Sequence, residues 1–405
     1  MTKYGRSPWI DECPKSRVPS HPRHRGPLKA DVVIVGGGLT GCATAYACAA
    51  AGRSVVLLEA DQLGRGTTAF ASGWLAEDPG ISFQAVEKLI GLRAARHGFQ
   101  AWRRAALDFA ALIRRLNIKC AFEPHPSATI STTNEQLQRL KREQKARRDA
   151  GLDAPLLNAR AASAELGLPA TAAIRYKDGG TLDPYRACLG LAAAAQARGA
   201  RIFEHTLVRR ISFNRKIADV HTPGGAIRAT RVVIATGAPT ALFKALARHF
   251  WFKSTFLVLT EPVPAKIRRQ LGARATVLCD SAEPAHVVRW VGEDRLLIVG
   301  ADSMAPPPRL RDRTLVQRTG QLMYELSTLY PDISGIQPAY GWDAPYALTA
   351  EGLPYVGPHR SFPHQLFAFG DASRSVTGSY LASRILLRYV LDEVESADEA
   401  FSFNR

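Results

Sequence analysis

Residues 36–41 read Gly36-Gly37-Gly38-Leu39-Thr40-Gly41, a G-x-G-x-x-G turn. The pattern alone is common, and its surroundings make it chemical. It follows an apolar, β-branched run at residues 31–35 (DVVIV) and opens an alanine-rich segment from Thr40 to Ala51. An acid, Glu59, ends the next such run (SVVLL, residues 54–58), 18 residues after Gly41. This strand, turn, helix, strand and acid order is that of a dinucleotide site. Gly36 permits the tight turn, Gly38 lets backbone approach a pyrophosphate, and Gly41 allows close packing of helix on strand. The helix start then offers free N–H groups and a positive dipole end to phosphates. Glu59 can accept hydrogen bonds from ribose hydroxyls, and its charge disfavours a 2′-phosphate.

Three further segments point to the kind of dinucleotide. Residues 61–74 (DQLGRGTTAFASGW) form a loop of small residues directly after Glu59, where an NAD domain normally enters its next crossover. A longer FAD needs backbone wrapped around its ribityl chain and pyrophosphate at this point. A second run, RVVIATGAP, ends in Ala235-Thr236-Gly237, and GDASRSVTGS at 370–379 places a glycine-led loop before the final helix. A second G-x-G-x-x-G for NADPH is absent. Cys42 and Cys48 read as buried packing residues and not as a redox pair, which disfavours a pyridine-nucleotide–disulfide oxidoreductase.

In their order these segments, with LDPY (182–185) and TAEGLPYVG (349–357), make the chain similar to the D-amino acid oxidase (DAO) superfamily of FAD-dependent oxidoreductases, in particular its glycine/sarcosine oxidase and γ-glutamylputrescine oxidase-like members. The resemblance covers nearly all of the chain beyond residue 30. It implies that Gly36, Gly38, Leu39, Thr40 and Gly41 hold the pyrophosphate and that Glu59, with Ala60 beside it, holds the adenosine ribose. Gly66, Thr67, Thr68, Ser72, Gly73 and Trp74 would line the ribityl chain and ring. Val208 would meet adenine through its backbone, and Ala235, Thr236 and Gly237 would close the strand end. Gly370, Asp371, Ser373, Arg374, Ser375, Val376 and Thr377 would bring backbone N–H groups to the N1–C2=O edge of the flavin, where charge collects on reduction.

The same resemblance exposes departures. Members that oxidise amino acids often carry an arginine three residues before the threonine that is Thr349 here, a planar fork suited to a carboxylate. Tyr346 stands there, which argues against a free amino acid unless Arg289 or Arg374 substitutes. Arg289 lies in an apolar strand (HVVRWV), where an unpaired charge is costly, so a place at the sheet rim or in an ion pair is the alternative. A cysteine that anchors flavin in sarcosine-oxidase-like members is Ala344 here, so FAD is expected to be non-covalent. No lysine occurs in RLLIVG (295–300), where oxidases place one above the flavin, and Ser375 replaces a common glycine. Trp342 can wall the pocket or pack in the core. Asp343 can bind a cationic amine or serve a turn, and His286 reads as a sheet residue before a base.

The elements that must position these residues follow from the pattern. The chain is expected to be an α/β protein: a discontinuous Rossmann-type FAD-binding domain (30–80, 151–250 and 340–395) with an inserted α+β substrate domain (81–150 and 251–339) on an antiparallel or mixed sheet. Residues 1–29 form a polar, proline-rich arm expected to wrap the surface. Helices are expected over 82–116, 134–150, 184–199, 312–329 and 378–394. The stretch 252–301 alternates as antiparallel strands.

Composition narrows the partners. The 405 residues suffice for two domains. Six cysteines without metal or disulfide spacing fit a reducing, cytoplasmic compartment and no metal site. No run is long enough to span a membrane, and the N-terminus lacks the apolar core of a secretory signal. The net charge of +17 admits nucleic acid. Yet the densest run, Arg139 to Arg148, lacks interleaved aromatics and reads as an exposed helix. The function expected is oxidation of a CH–NH group of a small amine or amino-acid-like compound by hydride transfer to flavin N5, passing electrons to oxygen, a quinone or another carrier. A CH–OH dehydrogenase of hydroxy acids or polyols and an RNA-associated flavoprotein are the alternatives.

Overall fold

The run at 31–35 becomes the strand Leu28–Val35, at the middle of a parallel sheet. The computed structural model describes residues 1–214, 217–269, 271, 276–370 and 374–405. Leu28–Val35 lies between Val55–Leu58 and Gly225–Gly237, with Arg201–Phe203 beyond the first and Phe362–Phe369 beyond the second, all parallel. Such strands are buried on both faces, which explains their continuous apolar sequence. Val32 and Ile34 enter one core cluster and Val33 another. Arg210–Asn214 and Ile217–Thr222 add an antiparallel meander to the first half of Gly225–Gly237. Tyr355–His359 pairs antiparallel with Phe362–Phe369.

Helix Leu39–Ala50 packs against Pro184–Ala197 and against Ser375–Leu391, and the three cover one face of this sheet. Its alanines, glycine and two cysteines are almost all buried, so the neighbouring helices approach closely. Pro184–Ala197 starts as expected, with Asp183 accepting from the Arg186 N–H and Pro184 in the first turn. The last helix begins at Ser375, three residues before its expected start, and ends at the left-handed Asp392.

A second, nine-stranded sheet has the order Lys3–Tyr4, Pro338–Leu348, Trp251–Thr260, Arg295–Met304, Val287–Val291, Val277–Cys279, Ser127–Ser131, Ala172–Tyr176, Leu156–Asn158. Successive side chains point to opposite faces. Leu257, Leu259, Leu297 and Val299 therefore face the nucleotide half, while Phe256, Val258, Leu296 and Ile298 pack under helix Arg311–Leu329. Sheet membership divides the chain differently from the expected boundaries. Leu156–Asn158, Ala172–Tyr176 and Pro338–Leu348, expected with the nucleotide half, belong to this sheet.

Two expectations are corrected. The N-terminal segment does not merely wrap the surface. Lys3–Tyr4 adds a parallel strand beside Tyr340 and Gly341, and Trp9 and Cys13 enter the main core. Apolar Trp9 and Cys13 supply the burial that a polar, proline-rich composition concealed. The basic run lies on helix Asn134–Asp149, capped by a reciprocal Thr133–Gln136 pair, but is not wholly exposed. Arg147 turns inward and pairs with Asp78 and, at 2.7 Å, with Glu143. Among the described residues no helix is long and apolar enough to cross a membrane.

Candidate active site

The glycine turn is built by close approach. Gly36 has φ +110°, and a Cβ there would meet the Ala235 carbonyl oxygen at 2.5 Å. A Cβ on Gly41 would lie 1.9 Å from the Gly36 oxygen, so the turn can fold onto its helix only without one. Gly37, a variable position of the motif, is constrained too: its Cβ would strike Leu63 at 2.5 Å and Glu59 at 2.9 Å. Glu59 Oε2 accepts the Gly37 N–H at 2.6 Å and Oε1 the Asp61 N–H at 2.9 Å. Each oxygen keeps acceptor capacity for a ribose hydroxyl. Helix Leu39–Ala50 has no side-chain cap at Gly38. Among the described residues only the Leu39 N–H is taken by a side chain, at 2.9 Å by Thr68 Oγ1, which leaves first-turn donors for an anion.

In front of this turn lies a cleft of about 290 Å³ lined by Gly36, Gly38, Leu39, Thr40, Glu59, Gly66, Thr67, Thr68, Ala235, Thr236, Gly237, Ser375 and Val376, together with Ala71, Pro184 and Ser379. Helix Ser375–Leu391 also starts here without a side-chain cap. Thr377 points away and donates to the Ala76 carbonyl at 2.7 Å. Gly370, at φ +84°, donates to the Gly237 carbonyl at 3.2 Å and so joins two strand ends. Asp371 and Ser373 lie outside the described residues. Ala60 sits beside Glu59 off the cleft wall. Val208 turns its side chain into the core on a segment tied to Glu59 through the Thr206 N–H at 2.8 Å.

A second, narrower pocket shares Thr67, Ala71 and Ser375 with this cleft and continues it toward the nine-stranded sheet. Its walls are Phe70 and Ser72 from the loop and Thr255, Leu257, Val299, Ala344, Pro345 and Tyr346 from three strands. Among the described residues no lining side chain is cationic. The Tyr346 hydroxyl donates to Asp302 Oδ2 at 2.6 Å, and burial, followed by the carboxylate, pushes its pKa well up. Gly73 follows at φ +70°, with Leu182 donating to its carbonyl at 2.8 Å. Trp74 is buried below, its ring 4.3 Å from the Arg374 guanidinium.

The remaining candidates are placed away from this pocket. Trp342 is wholly buried behind the loop and donates Nε1–H to the Phe70 carbonyl at 3.0 Å. Asp343 is committed to Arg311 at 2.8 Å. Arg374 donates to the Asp78 carbonyl at 2.8 Å and to Asp78 Oδ1 at 2.7 Å. Arg289 makes no ion pair among the described residues, contrary to one expectation for it. It is buried and donates to the Ser72 carbonyl from Nε at 2.8 Å and from Nη2 at 2.6 Å, and burial pushes its pKa down to about 9. His286 lies between Asp280, at 2.7 Å, and Glu325, at 2.9 Å. The Asp280 hydrogen bond chiefly raises its pKa. Cys42 has its sulfur 3.6 Å from Cys188, not beside Cys48.

Phe70, Thr255, Leu257, Val299 and Asp302 were not singled out from the sequence. Thr255 and Leu257 share one face of their strand, and only the observed register, with Leu257 opposite Val299, brings the third residue beside them.

A two-layer α/β fold with a glycine turn, a strand-end acid and an uncapped helix start at one cleft defines a dinucleotide-dependent enzyme. Residues 31–388 match the DAO family, described as FAD dependent oxidoreductase, and the chain belongs to it. It is 26% identical over 376 residues to gamma-glutamylputrescine oxidoreductase of Escherichia coli, covering 92% of this chain and 86% of that one. It is 27% identical over 381 residues to glycine oxidase of Geobacillus kaustophilus, covering 92% and 94%. In fold it is similar to the solved L-amino acid deaminase of Proteus myxofaciens, with a TM-score of 0.77 at 18% identity over 96% of each chain.

Proposed function

We propose that the enzyme oxidises the CH–NH group of a small amine that carries no carboxylate beside the reacting carbon, yielding an imine that water converts to a carbonyl compound. The observation that carries this reading is the pocket between the flavin loop and the strands: among the described residues it has no cationic lining side chain, and Tyr346 is bound to the carboxylate of Asp302. An α-carboxylate would enter that space without a partner and lose its hydration, a cost of several kcal/mol. A protonated amine tail would instead gain from Asp302. The E. coli relative named for γ-glutamylputrescine supports an amine substrate.

The residues that fit the cofactor are those of the wider cleft. The N–H groups at Leu39–Gly41 would face the pyrophosphate, Glu59 the ribose, and the start of helix Ser375–Leu391 the flavin pyrimidine edge. Bound there, FAD supplies a two-electron acceptor for the hydride at N5. Ala344 offers no thiol, so the cofactor would be held without a covalent bond. The chain's own task is to fix the C–H bond against the ring with Phe70, Leu257 and Val299 and to exclude water, with no side chain required to take a proton from carbon.

Anaerobic mixing with a panel of primary and secondary amines, α-amino acids and 2-hydroxy acids tests this. Bleaching of the flavin absorbance is expected with amines. Reduction by hydroxy acids alone, or by α-amino acids in preference to the matching amines, contradicts it. Reoxidation with air against a quinone then identifies the acceptor.

A further inference from the structure

The flavin loop holds its backbone outward in an unbroken series. Ser7 Oγ donates to the Ala69 carbonyl, Trp342 Nε1 to Phe70 at 3.0 Å, and Trp9 Nε1 to Ala71 at 2.9 Å. Arg289 donates to Ser72 at 2.8 and 2.6 Å, and the Leu182 N–H to Gly73 at 2.8 Å. Five consecutive carbonyls thus each have a donor behind the loop. Two of the donors come from the N-terminal segment, which lies before the matched region 31–388. From this geometry we infer that the segment Ser7–Trp9 is a positioning element of the cofactor site.

Ser7 and Trp9 are 3% and 7% exposed, so both hydrogen bonds are shielded from water. Ser7 also caps the short helix Pro8–Asp11, accepting the Trp9 N–H at 3.2 Å, which fixes the two side chains relative to each other. The Arg289 guanidinium stands 5.4 Å from the Trp9 ring, so donors to neighbouring carbonyls also brace one another. The segment is tethered on both sides. Gly5 donates to the Gly341 carbonyl at 2.8 Å, and Glu12 pairs with Arg295 at 2.6 and 2.8 Å.

With its carbonyls committed behind it, the loop offers Thr67, Phe70, Ala71 and Ser72 to the cavity. Without those donors, ordering the loop around a ligand would cost conformational entropy that the folded chain otherwise spends in advance. The inference rests on the flavin lying against this loop.

The test compares the FAD affinity of the apo-proteins, by quenching of flavin fluorescence, and the visible spectrum of each holoenzyme. The double variant Ser7→Ala/Trp9→Phe removes both donors and keeps the ring. It is expected to bind FAD about tenfold or more weakly, because the cost of ordering the loop then falls on binding, and to show a shifted flavin absorption band. Apo-protein thermal unfolding should change far less than the holoenzyme's. Glu12→Gln, which loosens only an exposed tether, should bind FAD like wild type, and Gly41→Ala should not bind it. A double variant with wild-type affinity and spectrum overturns the role of the segment while Gly41→Ala still upholds the cleft. Retention of FAD by Gly41→Ala overturns the cleft itself. If the double variant does not fold, Trp9→Phe alone decides by the same affinity and spectrum.

Discussion

Gly41 shows how much one atom decides. A methyl group there would occupy the Gly36 carbonyl oxygen, 1.9 Å away, and backbone cannot yield as a flexible side chain would. Gly37 is nearly as confined, although the motif leaves it free. Its methyl would meet Leu63 and the Cβ of Glu59, so Gly37→Ala should push the acid away from the turn and weaken FAD binding without unfolding the protein. Equilibrium titration with FAD checks this, and wild-type affinity would show that Glu59 can relax. Behind the pocket-lining Tyr346, Asp302→Asn keeps the hydrogen bond from the tyrosine hydroxyl and removes the charge. For a cationic amine the expected result is a KM raised about tenfold or more, the weight of one charge-assisted contact, with kcat less affected. Steady-state kinetics with a diamine and a monoamine of equal length read it: an equal effect on both would remove Asp302 from recognition.

The segment after the short strand Trp74–Leu75 carries two buried acids with opposite behaviour. Asp78 is held below its ordinary pKa although burial, its largest influence, opposes this, because the guanidiniums of Arg147 and Arg374 outweigh it. Glu77 makes no ion pair among the described residues, and the charge of Arg103 offsets its burial only in part. Burial pushes it up to about 7, partly offset by the Asp178 N–H it accepts. Between the ordinary value of 4.5 and about 7 the folded protein keeps a proton that the unfolded chain has lost. This contribution to stability is therefore full below about 4.5 and is lost as pH rises from there through the folded value of about 7, by on the order of 3 kcal/mol at most. Glu77→Gln should be close to wild type near pH 5 and gain relative stability toward pH 8. Denaturant unfolding at both values checks this, and a difference independent of pH would contradict it.

Taken whole, the nucleotide half could be read from the sequence because its signals are local. A β-branched run, a glycine turn and an acid at the right distance describe one βαβ unit, and the observed elements fall where they were expected. The substrate half could not be read as fully, because its logic is long-range. Ala172–Tyr176 and Pro338–Leu348 look like any other strands, and only pairing across the nine-stranded sheet assigns them. Asp302 drew no attention for the same reason: its partner Tyr346 is 44 residues away. Arg289 was read as a carboxylate clamp or as a residue of the sheet rim or an ion pair, and Trp342 as a pocket wall or core, whereas each donates to a carbonyl of the loop after Glu59. The N-terminal segment misled through composition, since its two anchoring side chains are scattered among prolines and charges. The excess of basic residues, +17 in all, is carried largely by exposed arginines. Nucleic acid that copurifies should therefore leave in a high-salt wash without loss of flavin colour.

Every reading of the pocket presupposes a flavin beside the Gly36–Gly41 turn. Titration of the apo-protein with FAD, followed by visible absorbance and separation of free from bound cofactor, measures that occupancy. One FAD per chain is expected, released intact on denaturation. A folded protein that stays colourless and takes up no FAD would contradict the account.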